Sequence, residues 1–232
     1  MDLRELSALG GFFALRTEAP AGTGGEGVPL ARVYGGDLAP LTHRVDIVAA
    51  RHTPPERRVA ASIAQLGLAA RLWSIALGAA ALYGEVPDLD PARLYWSPDR
   101  TSPDDLVFTG SHTLPGTAAG IREAVRETHL LPLAEVLRRD TRISRQLLRG
   151  NEGSALAGAV RQIGEWGRAE GRSEVVDRAG ALAAELFAHP ALAGTVHGPA
   201  MRRNSCCLYY RAPRGGLCGD CVFDHPPRRP AG

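Results

Sequence analysis

Apolar residues recur at helical spacing over most of the chain beyond residue 50. Val175, Val176, Ala179, Leu182, Leu186 and Phe187 form one stripe behind Ser173, a plausible N-cap, and His189-Pro190 ends it. Leu156, Val160, Ile163 and Gly167 make a second stripe over residues 154–168. From Thr117 onward Ile121, Val125, Thr128, Leu133 and Val136 share a face, with Pro132 expected to kink or divide the segment. Residues 142–148 predict a further turn or two, closed by Gly150-Asn151. The first strong helix is predicted to start at Thr53-Pro54-Pro55-Glu56. There Thr caps, Pro suits the first turn, and Glu three residues on completes a capping box. This helix runs toward Tyr83-Gly84, with a bend expected near Gly67 and Pro87 forbidding much more.

The remaining pattern is shorter. Residues 2–9 predict a short helix ending at Gly10-Gly11, and residues 12–15 a strand. Residues 92–97 and 106–109, with a Pro/Asp-rich turn between them, predict a small β-hairpin. Residues 19–29 read as a Gly/Pro-rich loop. It contains Gly22-x-Gly24-x-x-Gly27, but a dinucleotide fingerprint needs a strand before and a helix after, and Pro20 and Pro29 flank this one. The fold class is therefore mostly α, of α+β type. About five helices and a minor hairpin form a body over residues 1–200, and a cysteine-rich segment over 201–232 docks on it.

Composition narrows the function. The chain has 232 residues, 44 % apolar and 22 % charged, as in ordinary soluble globular proteins. All 27 basic residues are Arg and the net charge is only +2, so no nucleic-acid partner is implied. The N-terminus carries acids and lacks a long apolar run, which does not read as a signal peptide and predicts a cytoplasmic location. The most apolar stretch, residues 72–83, falls short of the roughly 20 residues that span a bilayer. It predicts a buried helix and no transmembrane segment, which leaves room for peripheral membrane association.

The chemistry lies in the cysteines. All four fall within Cys206-Cys207 and Cys218-Gly219-Asp220-Cys221, with none in the first 205 residues. In a reducing compartment such clustering points to metal more than to disulfide. Structural zinc, an iron–sulfur cluster and redox-active thiols are the three readings. Zinc favours two C-x2–4-C knuckles. Cys218-x-x-Cys221 supplies one, but adjacent Cys206-Cys207 side chains point apart in extended chain and chelate a single ion poorly. A 2Fe–2S cluster takes four thiolates from more separated directions. Thioredoxin-like chemistry would place Cys218-Gly219-Asp220-Cys221 at the start of a helix, where Pro226-Pro227 instead follows.

The segment Arg202-Arg203-x-Ser205-Cys206-Cys207-Leu208-Tyr209-Tyr210-Arg211 … Cys218-Gly219-Asp220-Cys221 resembles the C-terminal signature of FhuF-like ferric siderophore reductases. Leu72-Trp73-Ser74, Val86-Pro87-Asp88-Leu89-Asp90 and Gly150-Asn151-x-x-Ser154-Ala155-Leu156 resemble further stretches of that family in the same order. Arg149 stands where an aromatic residue is expected. The resemblance implies a 2Fe–2S cluster on Cys206, Cys207, Cys218 and Cys221. It implies one-electron reduction of Fe(III) held by a siderophore, commonly a hydroxamate, in the cytoplasm. No flavin or nicotinamide site is visible, so the electron is expected from a separate ferredoxin or flavodoxin-type reductase.

Around the cysteines, Arg202, Arg203 and Arg211 would raise a cluster's potential or meet an anionic siderophore or acidic donor. The plain alternative is solvated surface arginine. Tyr209 and Tyr210 would shield the cluster or stack on ligand, or pack in the core. Trp73 and Trp166 read as core. His225 is a candidate extra ligand that four cysteines make unnecessary, and His189 and His197 read as cap or loop residues. Two other functions compete: a helical binding module with a structural zinc tail, and a 2Fe–2S electron carrier without an iron substrate of its own.

Overall fold

A computed structural model describes residues 1–17, 27–53 and 56–227. Its centre is helix α4, Arg57–Tyr83, where small and apolar residues face every direction and leave most of the helix buried. By its 27 residues it is about 40 Å long. Leu72, Trp73, Ile75 and Leu77 are fully buried along it, each contributing roughly 1.5–3 kcal/mol by leaving water. The helix is continuous through Gly67, and Gly84 ends it in a left-handed C-cap with φ +72°. Among the described residues this one helix is long and apolar enough to cross a membrane, but 72 % of its apolar window is buried in the fold.

Other helices surround α4. Helix α1 (Leu3–Ala8) is capped by Asp2, whose carboxylate accepts from the Arg4 amide at 2.8 Å. Helices α2 (Leu30–Tyr34) and α3 (Ala39–His52) precede α4. Thr53 is therefore the left-handed C-cap of α3 and not the N-cap of α4. The predicted capping box also ran through residues 54–55, outside the described residues. Residues 12–15 form no strand. Gly11–Phe13 is a 3-10 turn, and only Arg16 bridges to Val107. That turn is pinned by buried Arg71, which donates to the carbonyls of Gly11, Phe12 and Ala14 and to Asp105 at 2.8 Å. The glycine fingerprint lies outside the described residues except for Gly27.

The predicted hairpin is present as β3 (Leu94–Trp96) and β4 (Leu106–Phe108), antiparallel, with β1 (Val28–Pro29) added on the β3 edge. Strands β2 (Glu85–Pro87) and β5 (Thr113–Pro115) pair separately. Beyond them α5 (Ala118–Arg122) runs into a π-helical stretch, Glu123–Leu130, and then α6 (Leu131–Thr141), whose first turn holds Pro132. The division expected at Pro132 thus takes the form of a change of helix type.

The largest departure concerns α7, Arg145–Glu170, a single helix where two short ones were expected. Gly150-Asn151 does not end a helix; it lies within one. Helix α8 (Ser173–Ala188) follows, with Arg172 at the N-cap position and Ser173 as its first residue. Helix α7 packs along α4, and this pair is the platform for the C-terminal segment. Trp73 is core as expected, while Trp166 is half-buried with the Arg172 guanidinium 5.8 Å from its ring centre.

Candidate metal centre

The C-terminal segment returns over the α4–α7 pair through a two-stranded hairpin, β6 (Val196–His197) with β7 (Arg202–Arg203). The Arg203 amide donates to the Asp220 carbonyl at 3.0 Å, which ties the first cysteine pair to the second. The Cys221 amide donates to the Cys218 carbonyl at 3.1 Å and closes the C-x2-C knuckle. Leu208 takes a left-handed conformation, φ +67°, which a branched residue adopts only under outside constraint. Its amide thereby reaches Cys206 Sγ at 3.2 Å, and the Phe223 amide reaches Cys221 Sγ at 3.5 Å. The Tyr209 amide serves Cys207 in the same way. Such amide donors stabilise sulfur that carries negative charge.

Helix α7 supplies the cradle. A Cβ on Gly150 would lie 1.8 Å from Ser205 Oγ, and one on Gly153 would lie 2.1 Å from Thr195 Oγ1. Only glycine lets the segment lie this close. Asn151 Oδ1 accepts from Arg203 Nη2 at 2.5 Å, and Ser154 Oγ donates to Asp220 Oδ2 at 2.6 Å. From α4, Ser62 Oγ donates to the Cys207 carbonyl at 2.8 Å. Asn151 Nδ2 in turn donates to the Ser62 carbonyl and hydroxyl and to Gln65 Oε1, which fixes its amide orientation.

All four cysteines are free thiols; Cys207 and Cys221 are buried, Cys206 and Cys218 half-buried. Cys207 and Cys218 share a hydrogen bond. That bond, together with Arg203, draws Cys207 below the usual thiol range despite burial, while Cys218 keeps the proton and is pushed up. Burial pushes Cys206 up, and the nearby Cys221 and Cys218 add to the shift. The four sulfurs thus share one electrostatic neighbourhood. Even so, among the described residues no three His, Cys, Asp or Glu side chains are gathered as donors to a single ion. Tetrahedral zinc would need all four sulfurs about 2.3 Å from one point. A donor set of thiols alone, served by backbone amides, suits the chemistry of an iron–sulfur cluster.

A cysteine segment of this kind, held on a helical platform, defines an iron–sulfur redox protein. Residues 203–223, which include all four cysteines, match the family described as the FhuF 2Fe-2S C-terminal domain. The match points to a 2Fe–2S cluster as cofactor and is consistent with a FhuF-like family. A search of curated proteins finds no match to the chain.

The other residues singled out in the sequence occupy varied positions. Arg203 is fully buried beside the thiols. Arg202 is engaged, donating to the Cys221 carbonyl at 2.7 Å and pairing with Asp224 at 2.8 Å. Arg211 pairs with Glu56 at the start of α4 and lies over the Tyr210 ring. Tyr209 meets His52 edge-on, and Tyr210 meets Phe223. His225 is exposed, His189 caps α8 and His197 lies in β6. Arg149 uses its guanidinium on the carbonyls of Pro190, Ala191 and Ala193, a tethering role no aromatic could fill. Sequence reasoning missed Ser62, Gln65 and Asp220 as parts of the site, and the role of Asn151. Ser62 and Gln65 had a readable signal: polar residues three apart within the mostly apolar run of residues 59–70.

Proposed function

We propose that the chain is a cytoplasmic ferric-siderophore reductase that moves one electron to siderophore-bound Fe(III) and so releases Fe(II). The observation that carries this reading is the matched domain over residues 203–223, which contains all four cysteines. Cys206, Cys207, Cys218 and Cys221 would hold the 2Fe–2S cluster. When bound, the cluster would supply one-electron transfer, with an external ferredoxin or flavodoxin-type reductase as the source of the electron and siderophore-held iron as its destination. Hydroxamate oxygens are hard ligands that hold Fe(III) far better than Fe(II), so a single electron is enough to loosen the metal. Cys207 and Cys221 are buried while Cys206 and Cys218 are half-exposed, so siderophore and donor would both approach the Cys206–Cys218 edge. Tyr209, Tyr210, Arg202 and Arg211 border the segment and are proposed as walls of that approach.

The test uses anaerobically purified full-length protein. About two irons and two labile sulfides per chain are expected, with an EPR signal on one-electron reduction. Reduced protein mixed with a ferric hydroxamate should deliver Fe(II) to a ferrous chelator. One zinc and no sulfide would overturn the cluster. A normal cluster that leaves every ferric hydroxamate untouched would make the protein an electron carrier instead.

A further inference from the structure

Arg203 is among the most deeply buried side chains in the fold, with 0 % exposure. Its Nε donates to the Ser205 carbonyl at 2.6 Å and its Nη2 to Asn151 Oδ1 at 2.5 Å. Both acceptors are neutral. Nη1 is buried and has no hydrogen-bond partner among the described residues, and no carboxylate there pairs with this guanidinium. A buried cation with no counter-charge is strongly unfavourable, by several kcal/mol in general. Among the described residues buried Arg71 has Asp105 and buried Glu152 has Arg126, while buried Asp220 is held by the Ser154 hydroxyl and forms no ion pair. Two kinds of nearby group can be anionic: Asp220, whose carboxylate bonds Ser154 and not the guanidinium, and the cysteines, since the Arg203 charge acts on Cys206, Cys207 and Cys218.

We propose that Arg203 is the built-in counter-ion of the thiolate-bound cluster, with Asn151 as its positioning residue, and that this pair sets the cluster's reduction potential. The inference rests on the cluster assignment above and extends it. A cluster carried on four thiolates is an anion, and reduction adds one further negative charge. A fixed cation in a low-dielectric site stabilises the reduced form more than the oxidised one and raises the potential. Position matters as much as charge. Asn151 is held by Ser62 and Gln65, and Ser62 also holds the Cys207 carbonyl. The guanidinium and the cysteine backbone are therefore fixed to the same two helices.

The experiment is a redox titration followed by EPR on the loaded full-length protein, with iron and sulfide analysis of each sample. Arg203→Gln should lower the potential so that the one-electron reduction equilibrium weakens about tenfold or more, which is about 59 mV. Arg203→Lys should recover much of the shift. Asn151→Leu should move the potential the same way by less, with cluster content retained. A fully loaded Arg203→Gln protein with the wild-type potential overturns the inference and leaves the cluster assignment standing. Should Arg203→Gln fail to load, a wild-type potential in fully loaded Asn151→Leu overturns it equally. Wild-type protein without labile sulfide overturns the cluster assignment itself, and the inference with it.

Discussion

Single atoms decide how closely the cysteine segment meets its platform. Gly150→Ala would set a methyl 1.8 Å from Ser205 Oγ, so Ser205 and the chain carrying it must move. Overpacking of this kind costs about 1–3 kcal/mol, and here the displaced chain leads directly into Cys206. Gly150→Ala should lower the thermal midpoint and reduce the iron retained after gel filtration. Gly158→Ala is the control on the same helix, since its Cβ would meet only Arg161 at 3.8 Å. That change should be neutral or add about 0.5–1 kcal/mol of helix stability. The cysteines divide differently. Cys206→Ser, Cys207→Ser, Cys218→Ser and Cys221→Ser should each abolish or gravely weaken the visible cluster absorbance while the helical circular dichroism persists. A normal cluster in Cys207→Ser would show that the adjacent pair is not used. The motif itself was fully readable in the sequence, because cysteine spacing is a statement about covalent reach. The counter-ion and its anchor were not, because nothing local says that Arg203 turns inward or that Asn151 waits there.

At the level of elements, the strongest periodicities became helices, and the errors fell where one signal served two ends. Thr53 carried a valid capping chemistry but closes α3 instead of opening α4. Gly150-Asn151 reads as a stop in any isolated helix; α7 continues through it because α4 and the cysteine segment cover that face. The π-helical stretch was not foreseen either, and it has a use. It turns His129 into the core, where Nε2 lies 2.7 Å from the Leu89 carbonyl and Nδ1 lies 2.9 Å from the Tyr34 hydroxyl. A carbonyl only accepts, so Nε2 donates to Leu89. Burial favours the neutral ring, in which Nδ1 accepts from the Tyr34 hydroxyl, and lowers the pKa from 6.5 to about 4, only partly opposed by the Leu89 bond and Asp90. The unfolded chain binds this proton first. The stability that neutral His129 provides is thus complete above pH 6.5 and is lost as pH falls toward about 4. The loss is about 3 kcal/mol, taken from the same shift. Buried Glu152 runs the opposite way. Burial raises its pKa to about 7 against the pull of Arg126, so its contribution is lost as pH rises through that value. The difference between wild type and His129→Gln isolates the histidine. Urea unfolding at pH 7 and pH 4.5 should show a smaller acid loss in the variant, and an equal loss would remove His129 from the account.

Across the whole molecule, one long helix organises two unlike tasks. Its C-terminal half is core, with Leu72, Trp73, Ile75 and Leu77 fully buried, while its N-terminal half offers Ser62 and Gln65 to the metal centre. No cysteine belongs to the main hydrophobic core cluster of the described residues. Removing the metal with a chelator should therefore leave far-UV circular dichroism nearly unchanged, while a protease should cut the chain beyond residue 195 far faster than in loaded protein. Collapse of the helical signal on chelation would show that the cluster holds the body together as well. The close seat of Ser205 on Gly150 also fixes an order in time. Residues 57–83 and 145–170 leave the ribosome before the first thiol does, and the seat exists only once those two helices lie side by side. The thiols are thus the last part of the site to be synthesised, after both helices of the seat.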